Sequence, residues 1–221
     1  LALTVVEPQS SGIGGGGFLL HHDGKSGVIA SIDGRETAPA AAKPDRFVGP
    51  DGKALGFMQA VPGGRSVGVP GNMRLAAMAH KKWGKLPWAA LFRPAIRLAE
   101  EGYQVTKPMA SSVAALAPVW KDFPQTAAIY APGGVPVAEG ATVRNPMLAA
   151  LLRTMAAGGA NAFYSGANAR ALVRAVNGSL RAPGDMTLRD VARYQAKQRA
   201  PVCTTYRAYK LCGMGPPSSG A

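Results

Sequence analysis

Phe18-Leu19-Leu20-His21-His22 and Gly27-Val28-Ile29-Ala30-Ser31-Ile32-Asp33 flank Asp23-Gly24-Lys25-Ser26, and this stretch decides the fold. Two apolar runs around a short glycine-containing turn predict a β-hairpin. Upstream lies Ser10-Ser11-Gly12-Ile13-Gly14-Gly15-Gly16-Gly17, where side-chain-free backbone can take almost any angle. Residues 1–6, apolar and partly β-branched, read as a strand closed by Glu7-Pro8. Downstream, Gly34-Arg35-Glu36-Thr37-Ala38-Pro39 follows the second strand directly.

Further along, residues 43–70 are rich in Gly and Pro and read as a surface segment. Helical signals start at Asn72, taken as a cap, and stop at Gly84. A second helical stripe runs from Pro87 to Gly102, and Pro94 is expected to kink or divide it. More helices are predicted over 108–117, 146–157 and 167–177. Thr187-Leu188-Arg189-Asp190 has the spacing of a capping box for a last short one. Residues 201–214 read as a second hairpin. Strands, then helices, then strands make this an α+β chain. The expected organisation is a single domain fragment over 1–221: hairpin and Arg-bearing segment in 1–45, helices in 70–195, second hairpin in 200–214. The apolar opening at Leu1 and the turn-like close Pro216-Pro217-Ser218-Ser219-Gly220-Ala221 read as cuts in a longer protein.

The formal net charge of +13 raises a nucleic-acid reading. Lys81-Lys82 is the one conspicuous basic pair, and aromatic residues do not interleave with basic ones as stacking platforms would, so no nucleic-acid partner is expected. No apolar run is long enough to span a membrane. Gly12 to Gly17 satisfies G-x-G-x-x-G, with Asp33 at about the distance of a ribose-binding acid. That motif must open a helix facing a pyrophosphate, and strand and turn signals follow instead, so no cofactor is expected. The glycines are read as room for another segment or a substrate to approach closely.

His21 and His22 would point to opposite faces of a strand, and His80 lies far off, so no metal site is expected. Cys203 and Thr204-Thr205 have no nearby base and are not read as nucleophiles. If Arg207-Ala208 form a two-residue turn, Cys203 faces Cys212 at a non-hydrogen-bonded pair, where side chains are closest. A disulfide there and two free thiols are the two outcomes, the first fitting an oxidising compartment. Arg-Ala is a poor sequence for such a turn. Arg35 is the candidate binding residue, since a guanidinium at a strand mouth can grip a carboxylate through two parallel hydrogen bonds. Its bland alternative is a structural ion pair.

The stretches VVEPQSSGIGGGGF (5–18) and DGRETAPAAA (33–42) resemble the large subunit of the γ-glutamyltransferases. So do SVGVPGNMRLAAMAHKKWGKLPWAALFRPAIRLAEEGYQV (66–105), GGANAFYSG (158–166), GDMTLRDVARYQAKQRAPV (184–202), TTYRAYKL (204–211) and PPSSGA (216–221), in the family's order. The resemblance implies an N-terminal-nucleophile hydrolase fold, an αββα sandwich of which this chain is the large-subunit portion. It implies a self-cleaving precursor and a small-subunit partner whose N-terminal Thr attacks the γ-amide of glutathione or a related compound. Water or an amino-acid or peptide acceptor then resolves the γ-glutamyl-enzyme. Arg35 takes the place of the family's α-carboxylate ligand. No catalytic residue is expected in this chain, because the Thr-Thr-His-like motif is missing and Thr204-Thr205-Tyr206 belongs to the hairpin. The chain alone is therefore expected to be inert. The resemblance further implies a periplasmic or secreted protein, and a start at Leu1 inside an Ala-rich helix. Ala221 stands where relatives usually carry Gly. A glutaryl- or cephalosporin-type acylase of the same fold, and a non-catalytic basic binding module, are the alternatives.

Overall fold

The computed structural model describes residues 1–220; Ala221 lies outside the described residues. The elements run α1 (Ala2–Val6), β1 (Gly17–His22), β2 (Ile29–Gly34), α2 (Phe57–Ala60), α3 (Asn72–Trp83), α4 (Arg93–Glu101) and β3 (Tyr103–Gln104). There follow α5 (Lys107–Ala115), α6 (Pro124–Tyr130), β4 (Thr142–Val143), α7 (Pro146–Gly158), α8 (Asn161–Tyr164), α9 (Gly166–Asn177) and α10 (Leu188–Arg193). The last three are β5 (Lys197–Arg199), β6 (Val202–Tyr206) and β7 (Tyr209–Gly213).

The first hairpin is antiparallel with Phe18 opposite Asp33 and His22 opposite Ile29. The Asp23 carboxylate closes its turn by accepting from the amides of Lys25 (2.8 Å) and Ser26 (3.1 Å), which holds that carboxyl below its ordinary pKa. β2 is the central strand of the order β1-β2-β5. It is covered by α3, and Ser31, Ile32 and Asp33 are buried as a result. Ser31 Oγ donates to the Arg199 carbonyl at 2.7 Å, tying the two strands beyond their backbone ladder. On the helical face, His21 of β1 stacks on Trp83 at the end of α3, with ring centroids 4.1 Å apart.

The helical core forms where small faces meet. Ala95 and Ala99 of α4 and Ala149 of α7 are almost fully buried, and Leu152 and Met155 fill the space beside them. Asn145 starts α7 by accepting from the Leu148 amide (3.0 Å), and Trp88 Nε1 donates to the Met155 carbonyl at 2.9 Å. Pro94 divides its stripe as expected: a 3-10 turn over Trp88–Phe92 precedes α4, with the proline in the first helical turn. Thr187 and Asp190 form the predicted capping box.

Three expectations are corrected. Residues 2–6 are helical rather than a strand, because Thr4 and Val5 bury themselves against α4 and packing outweighs β-branched propensity. Asn72 is the first residue of α3 and not its cap; Gly71 occupies that position. Residues 117–130, not assigned to any element from sequence, hold a 3-10 turn and α6.

Candidate functional site

The glycine run and the end of β2 make one junction. Gly17 is paired with Gly34, so Gly16 is pressed against the residues just after β2. A Cβ on Gly16 would lie 2.6 Å from the Glu36 amide nitrogen and 2.7 Å from the Gly34 carbonyl oxygen, distances that backbone cannot relieve. The close approach expected of the run is thus made by the strand that carries Arg35. The loop is also tied to α3. Gly15 carbonyl accepts from the amides of Gly71 (2.9 Å) and Asn72 (3.0 Å), and Asn72 Nδ2 donates to the Gly12 carbonyl at 2.5 Å.

These contacts leave an open cleft of about 580 Å³ lined by residues 8–12 and 14–17 with Arg35, Glu36 and Asn72. Its walls are largely bare backbone, and Arg35 is the only cation lining it. The guanidinium lies 3.3 Å from the Glu36 carboxylate and its side chain is 53% exposed. One ion pair on an exposed side chain contributes little and leaves donors of the fork turned to solvent. No histidine, lysine or cysteine lines the cleft, so Ser10 and Ser11 have no neighbouring imidazole, amine or thiol to activate them. The arrangement can hold a carboxylate; it has no means to break a bond.

Beneath Arg35 lies a polar frame. The Asp33 carboxylate accepts from the Arg35 amide (2.8 Å) and from Arg199 Nε (2.7 Å), which is why Asp33 is spoken for within the protein. Tyr194 Oη donates to the Arg35 carbonyl at 2.7 Å. Burial, with the negative charges of Asp33 and Glu36 nearby, pushes the Tyr194 hydroxyl up to about 12, so it remains a donor through the neutral range. A second cleft of about 350 Å³ lies beside Leu1, Trp88 and Phe92. It is apolar, and its one titratable side chain, His80, is bonded through Nε2 to the Leu86 carbonyl at 2.8 Å.

His21 is engaged in its stack on Trp83, away from His80, and no cluster of three His, Cys, Asp or Glu suits a metal among the described residues. Cys203 faces Cys212 in the β6–β7 register, with Cα atoms 4.1 Å apart and the sulfurs bonded. Arg207 supplies the turn by taking a left-handed φ of 53°. Tyr194, Arg199 and Asn72 were not read as site residues from sequence. The first two lie far downstream of Arg35, and no local pattern marks them.

The family profile described as gamma-glutamyltranspeptidase matches residues 1–221, the whole chain. The chain belongs to the gamma-glutamyltranspeptidase family. Among its relatives, the glutathione hydrolase proenzyme of Bacillus subtilis (strain 168) is 38% identical over 221 residues, covering 99% of this chain and 37% of that protein. The chain therefore spans little more than a third of that relative's length. The crystal structure of Helicobacter pylori gamma-glutamyltranspeptidase is similar at a TM-score of 0.90 and 32% identity, over 99% of this chain and 61% of that one. A cephalosporin acylase from Bacillus halodurans is similar at 0.81 and 32% identity, over 97% of this chain and 40% of that one. The gamma-glutamyltranspeptidase fold is that of the N-terminal-nucleophile hydrolases, of mixed helix and sheet. No helix here is long and apolar enough to cross a membrane among the described residues.

Proposed function

We propose that this chain is the large-subunit portion of a γ-glutamyltransferase or glutathione hydrolase, and that Arg35 binds the α-carboxylate of the γ-glutamyl donor. The observation that carries the reading is a half-exposed guanidinium, alone among the cations of its cleft, on a backbone fixed from below. A planar fork facing a carboxylate sets orientation as well as charge. Held at its α-carboxylate, the donor presents its γ-carbonyl to a nucleophile from the rest of the protein. In this reading that nucleophile is the N-terminal Thr of a small subunit cut from the same precursor, with its own α-amino group as base. Water or an amino-acid or peptide acceptor then releases the γ-glutamyl group. The cleft supplies positioning, which lowers the barrier by removing a search for orientation. Alone, the chain is inert, since no nucleophile–base pair lines the cleft.

Export to the periplasm or beyond belongs to the same reading, and the exposed Cys203–Cys212 bridge supports it. In the complete, processed protein, Arg35→Ala should raise KM for γ-glutamyl-p-nitroanilide by roughly 30- to 900-fold, the equivalent of about 2–4 kcal/mol for an unpaired buried charge contact. An unchanged KM would remove Arg35 from the site.

The likeness to a cephalosporin acylase supports a second reading, an acylase acting on glutaryl amides. A glutaryl group keeps the carboxylate that Arg35 would hold and lacks the α-amino group. Parallel assays on γ-glutamyl and glutaryl p-nitroanilides separate the two: a higher kcat/KM for the glutaryl compound assigns the acylase.

A further inference from the structure

The peptide of Arg35 stands just beyond the reach of the sheet. Gly34 is the last residue of β2 paired with β1, and the pairing with β5 covers Ser31, Ile32 and Asp33. No ladder supplies partners for the N–H and C=O of Arg35, and unpaired backbone groups under a packed surface are costly. Two side chains replace the ladder. Asp33 Oδ1 accepts from the N–H at 2.8 Å, while Arg199 Nε on Asp33 Oδ2 (2.7 Å) stops that carboxylate from turning. Tyr194 Oη takes the C=O at 2.7 Å.

We propose that Tyr194, with Asp33 on the opposite side of the peptide, is a positioning residue that aims the Arg35 guanidinium into the cleft. The inference rests on Arg35 being the carboxylate anchor. The phenol is itself fixed. Its ring is 5% exposed and stacks on Tyr164, whose hydroxyl donates to the Pro70 carbonyl (2.9 Å) and accepts from the Arg74 amide (3.2 Å). Room for the hydroxyl exists because residue 71 is glycine: a Cβ there would strike both the Tyr194 oxygen and the Gly34 carbonyl. The Arg35 side chain has only the exposed contact with Glu36 to steady it. A long side chain multiplies any tilt at its Cα, so the aim of its fork depends on the peptide more than on its own contacts. Tyr194 touches no substrate in this account and acts through Arg35.

The test is a double-mutant cycle in the complete, processed enzyme with γ-glutamyl-p-nitroanilide. Tyr194→Phe keeps the ring stack and deletes the hydroxyl. It should raise KM about fivefold, the size of one net hydrogen bond, with kcat changed less than twofold. In an Arg35→Ala background the same substitution should change kcat/KM less than twofold, because nothing remains to be aimed. An equal loss in both backgrounds would mean that the hydroxyl only supports the fold, and an unchanged KM in the Arg35 background would mean that it does nothing for binding. Either result overturns the proposal. If Tyr194→Phe does not fold, Asp33→Asn weakens the other anchor of the same peptide and must show the same background-dependent rise in KM. Failure of the anchor reading itself is a separate result, seen as an unchanged KM in Arg35→Ala alone.

Discussion

The junction around Arg35 and the β6–β7 hairpin are both built on strand ends, yet they are held together by opposite means. At the junction, the glycine loop, β2, the start of α3 and Tyr194 interlock through short hydrogen bonds drawn from four distant parts of the chain. In the hairpin, every residue of β6 and the first three of β7 are exposed, with Val202 at 49%, Tyr209 at 69% and Leu211 at 51%. Its cohesion comes from its own ladder and the bond between Cys203 and Cys212. A side chain that must be aimed is placed where many long-range contacts agree. A hairpin with apolar side chains on its surface and few outside contacts leans on a covalent link instead.

That contrast can be broken most sharply at the cysteines. Replacing both by Ser removes a short-loop crosslink worth about 2–3 kcal/mol in the hairpin. Amide exchange over residues 202–213 should accelerate by roughly 30- to 150-fold, while KM for a γ-glutamyl donor stays within twofold. A parallel loss of donor binding would show that the two regions are not independent. Intact mass without reductant should show no free thiol in protein made under oxidising conditions; two free thiols would remove the link.

Next in size is Gly16→Ala. Its methyl would meet the Glu36 amide and the Gly34 carbonyl, so the junction must open, at a cost of about 1–3 kcal/mol on the scale for overpacking. Thermal unfolding should shift downward and KM rise together. The same change at Gly24, whose Cβ would meet nothing within 4 Å, should do neither. A neutral Gly16→Ala would show the junction to be looser than its geometry.

A smaller and pH-dependent effect is expected where the 40–46 segment is fastened to the loop before α10. The Arg46 guanidinium bonds both oxygens of Asp185 (2.7 and 2.8 Å) and the Arg65 carbonyl (2.8 Å), and the Ala40 amide donates to Asp190 (3.1 Å). The hydrogen bond from Arg46 holds the Asp185 carboxyl below its ordinary value of 3.8. Burial raises that of Asp190, but bonds from Thr187 and Ala40 outweigh it and leave it lowered as well. Lowered carboxyls stabilise the folded form above the ordinary value and lose that contribution as the pH falls through the folded one. Protection of amides in residues 40–46 should therefore fall on acidification below about pH 4, and Arg46→Ala should abolish that dependence. Protection flat across that range would contradict the latch.

Much of this architecture is legible in the sequence wherever a signal is local. The Asp23 turn, the Thr187–Asp190 capping box, the split at Pro94 and the cysteine register each depend on residues a few places apart. What was illegible is what only packing decides. Residues 2–6 carry a strand-like composition and become helical because α4 offers them a face to bury. β5 is a three-residue strand with no pattern, recruited by β2 from far downstream. In the site the same division holds: Arg35 announces itself beside glycine at a strand end, whereas Tyr194 meets it across 159 positions of chain and looks like any aromatic at the end of a helix.

The central claim is that the guanidinium of Arg35 holds the carboxylate head of a glutamyl donor. A crystal of the complete, processed protein soaked with glutamate tests it most directly. The account predicts the α-carboxylate facing the Arg35 fork at about 2.7–2.9 Å, with the Tyr194 and Asp33 bonds to its peptide intact. Glutamate bound elsewhere, with Arg35 still paired to Glu36, would contradict it.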